Sequence, residues 1–208
     1  MKERYSKMEL QENNHVYSKF IRNDIATFSK DIDVLRSLIR YQNCNRLVNE
    51  SVAEHSFYVA SFVMKLREYY EFNLERALKM ALIHDMPESK ISDVPHNIKT
   101  ANPEVAVALE KAENKVLNDM FYPEGVTLVA DFNRTVSPEG KVCALADVLS
   151  VVLYANDEIK CGNRIFNYIA IKAIARCKDI VASLEAHLNN NYTQEQIMNK
   201  INQIVNIY

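Results

Sequence analysis

Apolar positions recur at three- and four-residue spacing over most of the chain, which is the period of helices that each bury one face. Ile32, Leu35, Leu38 and Ile39 mark the first such stretch. Ser29 is its expected N-cap, and it should end near Arg40, before the polar, turn-forming run Gln42–Asn45. Ser51-Val52-Ala53-Glu54 then has the form of a capping box, with Ser51 as cap and Glu54 reaching back. Behind it Val52, His55, Val59, Phe62, Val63 and Leu66 share one face through to about Tyr70. A third helix is expected from Leu74 to Met86, its core formed by Leu74, Ala77, Leu78, Ala81 and Leu82. Pro87 disfavours helical geometry at Met86 and should stop it there.

Past a loop containing Asp93-Val94-Pro95-His96, Pro103 fits the first turn of a helix reaching about Phe121. Pro123-Glu124-Gly125 reads as a turn. Ser137-Pro138 opens a strong helix from Glu139 to about Ile159, interrupted by Cys161-Gly162-Asn163. Two more helices are expected, 164–189 and 194–206, the last with a capping box formed by Thr193 and Gln196. Residues 1–28 are polar and mixed, an arm or a short extra helix, and 29–208 read as one helical domain without repeat, low-complexity tract or linker.

Composition narrows this further. Three glycines and five prolines in 208 residues are too few for the tight turns of a sheet protein, so the expected class is all-α. The length suits one well-buried domain and would be cramped for two. A net charge of −2, with no basic run longer than a few residues, gives no general attraction to nucleic acid or anionic lipid. No apolar run approaches the roughly 20 residues that cross a bilayer. Cys44, Cys143, Cys161 and Cys177 are widely spaced, without a C-x-x-C pair, and the start of the chain does not read as a signal peptide. Reduced thiols and a cytoplasmic setting are the expectation.

Candidate chemistry lies at three places. His55 falls in the first turn of its helix, His84-Asp85 ends a largely apolar helix, and Asp147 lies in Val142–Leu153, where only Asp147 and Ser150 break an apolar run. An unpaired carboxylate there would be costly, so Asp147 needs an arginine, a cluster of amides or a metal ion. Taken singly, each has an ordinary explanation: a core histidine with a hydrogen bond, a salt-bridged aspartate, a chance His-Asp pair. Together they supply two imidazoles and two carboxylates, a mixed nitrogen and oxygen set suited to divalent transition metals.

The order His…His-Asp…Asp, carried by Glu50-Ser51-Val52-Ala53-Glu54-His55-Ser56, by Ala77 through His84-Asp85-Met86-Pro87-Glu88 and by Ala146-Asp147, resembles the signature of the HD superfamily. Its flanks are similar to those of the HD-domain 5′-deoxynucleotidases over about Asp33 to Ile159. The resemblance implies a single compact HD-domain helical bundle. In it His55, His84, Asp85 and Asp147 would hold one divalent transition metal (cobalt, manganese, zinc or similar), with water and a phosphate oxygen in the open positions. It also implies a small-molecule nucleotide substrate, and by family analogy a homodimer. Glu88 matches a family glutamate suited to general acid or base work, and Arg40 matches a phosphate-orienting arginine, with Arg46 as competitor. Tyr41 stands where the family has an aromatic residue near sugar or base, packing being its other role. Asp93, Val94, Pro95 and His96 match a substrate loop, beside which His55, Asp85 and Asp147 also meet the substrate. Ser92 replaces that loop's usual leading glycine, and His96 a threonine. His15 and His187 match no motif element and should be surface residues. Two other readings stay open: a compact HD triphosphohydrolase, with Lys90 and Lys99 on a longer phosphate tail, and a nucleotide-binding HD module without turnover.

Overall fold

A computed structural model of the chain describes residues 25–94 and 96–206, so most of the expected N-terminal arm, His15 with it, lies outside the described residues. The elements are α1 (Ile25–Ser37), α2 (Val52–Leu66), α3 (Leu74–Ile83), α4 (Glu88–Ile91), α5 (His96–Ala101), α6 (Pro103–Arg134), α7 (Pro138–Lys160), α8 (Phe166–Ser183), a 3-10 turn (Glu185–His187) and α9 (Gln194–Asn206). Among the described residues there is no strand, only two isolated antiparallel bridges, Ile39 with Ser51 and Tyr70 with Leu188. No helix among them is long and apolar enough to cross a membrane. All four cysteines are free thiols, Cys143 and Cys177 in the core.

Helix α7 is the spine. Ser137 caps it, its Oγ accepting from the Gly140 N–H at 3.0 Å, and Pro138 takes the first turn, where a missing N–H costs nothing. Helices α2, α3, α6, α8 and α9 all pack on it. Val142, Leu145, Ala146, Leu149 and Val152 meet Val59 and Val63 of α2, Met80 of α3, Cys177 and Val181 of α8 and Ile201 of α9 in one core. Each larger apolar side chain buried this way contributes about 1.5–3 kcal/mol. One stripe of α7 is polar instead: Asp147, Ser150, Tyr154 and Glu158, spaced so that they stack along a single side of the helix.

That stripe anchors the segment between α1 and α2. Its neck is closed by Arg40 N–H to Glu50 O and Val52 N–H to Leu38 O, both 2.9 Å. Its tip is pinned by Glu158, which is 0% exposed. The Glu158 carboxylate accepts from the N–H of Leu47 (2.8 Å), the N–H of Val48 (2.7 Å) and the amide of Asn163 (2.6 Å). The Tyr154 hydroxyl sits between Glu158 and the Val48 carbonyl, and Asn163 also donates to Asn45 O at 2.7 Å. Gly162, at φ +93, makes the left-handed turn that brings Asn163 back onto Glu158.

Several boundaries differ from the sequence expectations. Helix α1 starts four residues before Ser29, which is therefore internal and donates to Ala26 O at 2.9 Å rather than capping; the helix ends at Ser37, where the bridge to Ser51 takes over. Helix α3 stops at Ile83, three residues short of Met86, and Leu82 on its outer side is 55% exposed rather than core. After a turn, the chain resumes at Glu88 as the short α4. The turn expected at Pro123-Glu124-Gly125 is helical. The break falls at Phe121 and Tyr122 (φ 57, ψ −169), so Pro123 takes the first turn of the second arm of α6. Gly125 lets the arms close, since a Cβ there would lie 2.6 Å from the Phe121 Cβ. The expected 164–189 helix ends at Ser183 and gives way to the 3-10 turn, which leaves His187 partly exposed. The capping boxes at Ser51 and Thr193 form as expected.

Burial by itself would raise the pKa of Glu158, but the Val48 and Leu47 N–H groups and Asn163 outweigh it and hold the carboxyl below its ordinary value. A depressed folded pKa stabilises above the unfolded value of about 4.3 and loses that contribution as pH falls through the folded value. Glu158→Gln should therefore cost about 2–3 kcal/mol at pH 7 in urea unfolding. Its deficit against wild type should shrink below about pH 4; a deficit of equal size at both pH values would refute the assignment.

Candidate metal centre

The Ser51 capping box fixes the first turn of α2 and so aims His55 inward. Ser51 accepts from the Glu54 N–H at 3.1 Å, and Glu54 Oε2 accepts from the Ser51 N–H at 2.7 Å. His84 is the C-cap of α3 and Asp85 begins the turn after it, while Asp147 comes from mid-α7. The four groups converge. His55 Nε2 lies 3.2 Å from Asp147 Oδ1, 3.5 Å from Asp85 Oδ2 and 3.4 Å from His84 Nε2, and His84 Nε2 lies 3.2 Å from Asp85 Oδ2. Ligands about 2.1 Å from one ion at tetrahedral or octahedral angles stand about 3.0–3.4 Å apart. The donor atoms hold nearly that spacing. His55, His84 and Asp147 form a group that could hold a metal ion, and with Asp85 beside the two imidazoles the donor types are those that divalent transition metals prefer.

Neighbouring groups set the protonation of the four side chains. The Nδ1–H of His84 donates to Ala81 O at 2.9 Å, which leaves its Nε2 lone pair facing the centre. Burial, then the Arg40 guanidinium, lowers the pKa of His55 against the pull of Asp147, so its imidazole stays neutral. Burial likewise disfavours the charged form of His84, but the Asp85 carboxylate outweighs it and the pKa lies above the ordinary value. Burial would raise both aspartates; His84, His55 and Arg40 reverse this and hold Asp85 and Asp147 ionised. In energetic terms the two carboxylates are half-buried charges that a cation would compensate.

A family model described as "HD domain" matches residues 32–187 of the chain. The chain belongs to the HD-domain family. A 5′-deoxynucleotidase of Pasteurella multocida is 29% identical over 154 residues, which is 68% of this chain and 79% of that protein. Among solved structures, a Pyrococcus horikoshii protein matches with TM-score 0.67 and 26% identity over 85% of this chain and 99% of its own. An HD-domain phosphohydrolase from Listeria innocua matches with TM-score 0.60 and 25% identity over 75% of this chain and 82% of its own. The HD domain described here is accordingly a metal-dependent phosphohydrolase, and the four converging residues fit its divalent cation.

Around that centre the HD domain gathers most of the other expected residues. Arg40 Nη1 lies 2.9 Å from Glu50 Oε2 and 2.6 Å from His55 Nδ1, at the edge of the cluster. Arg46 is held elsewhere, its Nε donating to Asn49 at 3.1 Å. Glu88 is half-buried at the start of α4. Burial, then the Asp85 and Asp93 carboxylates, push its pKa up to about 9 against the pull of Arg40 and Lys99. Asp93 takes the Tyr41 backbone N–H, and burial raises its pKa. The Tyr41 ring stacks on Tyr154 at 4.9 Å and meets Phe166 edge-on. Val94 follows Asp93 and is half-buried. Pro95 lies outside the described residues, and His96 begins α5. Lys90 pairs with the buried Asp31 and Lys99 with Glu113 at 2.9 Å.

Sequence reasoning missed Glu50, which holds Arg40, and gave no role to Ser150 or Glu158. The Asp147, Ser150, Tyr154, Glu158 spacing on one side of a helix was the available signal. The Ser92 departure has a visible consequence. Ser92 sits at φ 67, ψ 166, a region that is essentially glycine-only, just before Asp93.

Replacing one ligand leaves the opposite charges or lone pairs of the other three in place, so the centre should weaken sharply rather than fail to fold. His84→Ala and Asp147→Asn are each expected to abolish the binding of one Mn²⁺ or Zn²⁺ per chain in titration calorimetry, with helical circular dichroism unchanged. Full stoichiometric binding by either variant would contradict the ligand set. Ser92→Gly should raise the free energy of unfolding in urea by about 1 kcal/mol, the relieved strain exceeding the added chain entropy of glycine.

Proposed function

We propose that this HD domain removes the 5′-phosphate from deoxynucleoside monophosphates. The observation that carries the reading is the convergence of His55, His84, Asp85 and Asp147 with Arg40 and Glu88 at their edge. The curated relatives named 5′-deoxynucleotidases support the substrate class.

A divalent ion bound by the four ligands supplies Lewis-acid polarisation of a phosphoryl oxygen and lowers the pKa of water. The chain's own residues do the rest. Arg40 presents a guanidinium fork to the phosphate, neutralising charge as it develops, and Glu50 holds that fork in place. Glu88 carries or takes the proton that the reaction moves; its raised pKa makes it a proton donor near neutral pH, and a nearby cation draws that pKa down toward the working range. Asp93 stands on the substrate loop as acceptor for a sugar hydroxyl. Asp85 and Asp147 are only partly exposed, which strengthens the charge interactions among them relative to open water.

Two observations favour a monophosphate over a triphosphate. Lys90 ties α4 to the buried Asp31, and Lys99 is engaged by Glu113, so both lysines suited to a longer phosphate tail already carry ion pairs. A binding module without turnover has no need of Glu88 beside a full ligand set.

A phosphate-release screen of deoxynucleoside mono- and triphosphates with Mn²⁺, Co²⁺ and Zn²⁺ tests the proposal. Inorganic phosphate should come from monophosphates, and Asp85→Asn should be inactive. Glu88→Gln should lower kcat by about 10²–10⁴ with little change in KM. Tripolyphosphate released from triphosphates, with monophosphates untouched, would replace this reading by the triphosphohydrolase one.

A further inference from the structure

Serines inside helices ordinarily turn the hydroxyl back onto a carbonyl of the preceding turn. Ser29, Ser37, Ser56, Ser61, Ser89 and Ser183 all do so here, at 2.7–3.1 Å. Ser150 does not. It is 0% exposed, within the apolar stretch of α7 one turn past Asp147, and its Oγ lies 3.0 Å from Nδ1 of His55 on α2. A buried hydroxyl carried across a helix interface to an imidazole, where an alanine would pack without cost, calls for a reason specific to that imidazole.

Ligation supplies one. A histidine that offers Nε2 to an ion carries its proton on Nδ1, and that N–H needs an acceptor. For His84 the acceptor is the Ala81 carbonyl. At His55 two groups stand within hydrogen-bond distance of Nδ1: the Ser150 hydroxyl and, at 2.6 Å, Arg40 Nη1. A guanidinium only donates; a hydroxyl also accepts. While Arg40 donates to Nδ1, the single imidazole proton sits on Nε2, where Asp147 Oδ1 at 3.2 Å receives it. When an ion takes Nε2, the proton must be on Nδ1, and Ser150 is the group that can receive it.

Resting on the metal-centre reading above, we infer that Ser150 is a positioning residue for His55: it accepts the Nδ1 proton in the loaded centre and so displaces Arg40 from that nitrogen. The imidazole keeps one proton throughout, and only its site changes. Arg40 retains Glu50 at 2.9 Å and is left with free donors for a phosphate. Metal loading and readiness for phosphate are thereby one event at one ring.

The test measures metal affinity and tautomer, not turnover. In chelator competition with Zn²⁺, Ser150→Ala should bind about 10–100-fold more weakly than wild type, while Ser183→Ala, a helical serine far from the centre, should match wild type. In ¹⁵N-imidazole spectra of the full chain, His55 should carry its proton on Nε2 without metal and on Nδ1 with Zn²⁺. The spectra need only the wild type, so they decide the matter even if Ser150→Ala misfolds. Undiminished affinity in a folded Ser150→Ala, or an unprotonated Nδ1 in the loaded wild type, overturns the role of Ser150 and leaves the metal centre standing. A wild type that binds no ion overturns the metal centre and this inference together.

Discussion

Two imidazoles and two carboxylates converging at the junction of α2, α3 and α7, with His55 Nε2 3.2–3.5 Å from the other three, are the constraint on which the rest of this molecule turns. Half-buried carboxylates drawn to one centre repel each other unless a cation compensates them. The protein's own contribution is partial: Arg40 stands at the edge and His84 gains proton affinity from Asp85. What remains is a concentrated negative field at a half-buried helix junction, which a divalent ion would relieve.

Holding that cluster open demands rigidity around it, and α7 provides it on two faces. The apolar face is clamped by α2, α3, α8 and α9, whose packing fixes the rotation of the helix and so the direction of Asp147. The polar stripe reaches the other way. Ser150 touches the metal-ligand ring, Tyr154 stacks under Tyr41, and Glu158 fastens the tip of the segment whose neck presents Arg40. One helix therefore sets both the metal ligands and the position of the proposed phosphate-binding arginine. Two of the positive-φ residues among those described stand near the same place. Tyr41 (φ 57) and Ser92 (φ 67) lie on the two segments flanking the cluster, each followed or preceded by a residue of the site. Such conformations persist only where surrounding contacts over-determine them, as the Glu158 network does for the first.

Elements whose cause is local were legible in the sequence. The capping boxes at Ser51 and Thr193, the Ser137-Pro138 start of α7 and the apolar period of α2 and α7 all formed where the pattern put them, because their determinants lie within one helical turn. Boundaries whose cause is distant were not. Helix α1 begins before Ser29, and the break in α6 comes at Phe121 and Tyr122 rather than at the Pro123-Glu124-Gly125 cluster. In the second case a proline serves equally as a helix start, and only the packing of Gly125 on Phe121 decides which.

The same division runs through the site. The chain by itself determined which side chains are too polar for their surroundings: His55 behind its cap, His84-Asp85 at the end of an apolar helix and Asp147 inside one. A polar group in an apolar run needs a partner, and that need is written locally. Who the partner is was decided only by the tertiary structure. It placed Arg40 rather than Arg46 beside the cluster with Glu50 as its partner, turned Tyr41 onto Tyr154, committed Lys90 to Asp31, and set Ser150 against an imidazole ninety-five positions away in sequence. Hydrogen bonds and ion pairs act over a few ångströms, and it is the packing of apolar faces, not sequence order, that brings such distant groups within that reach.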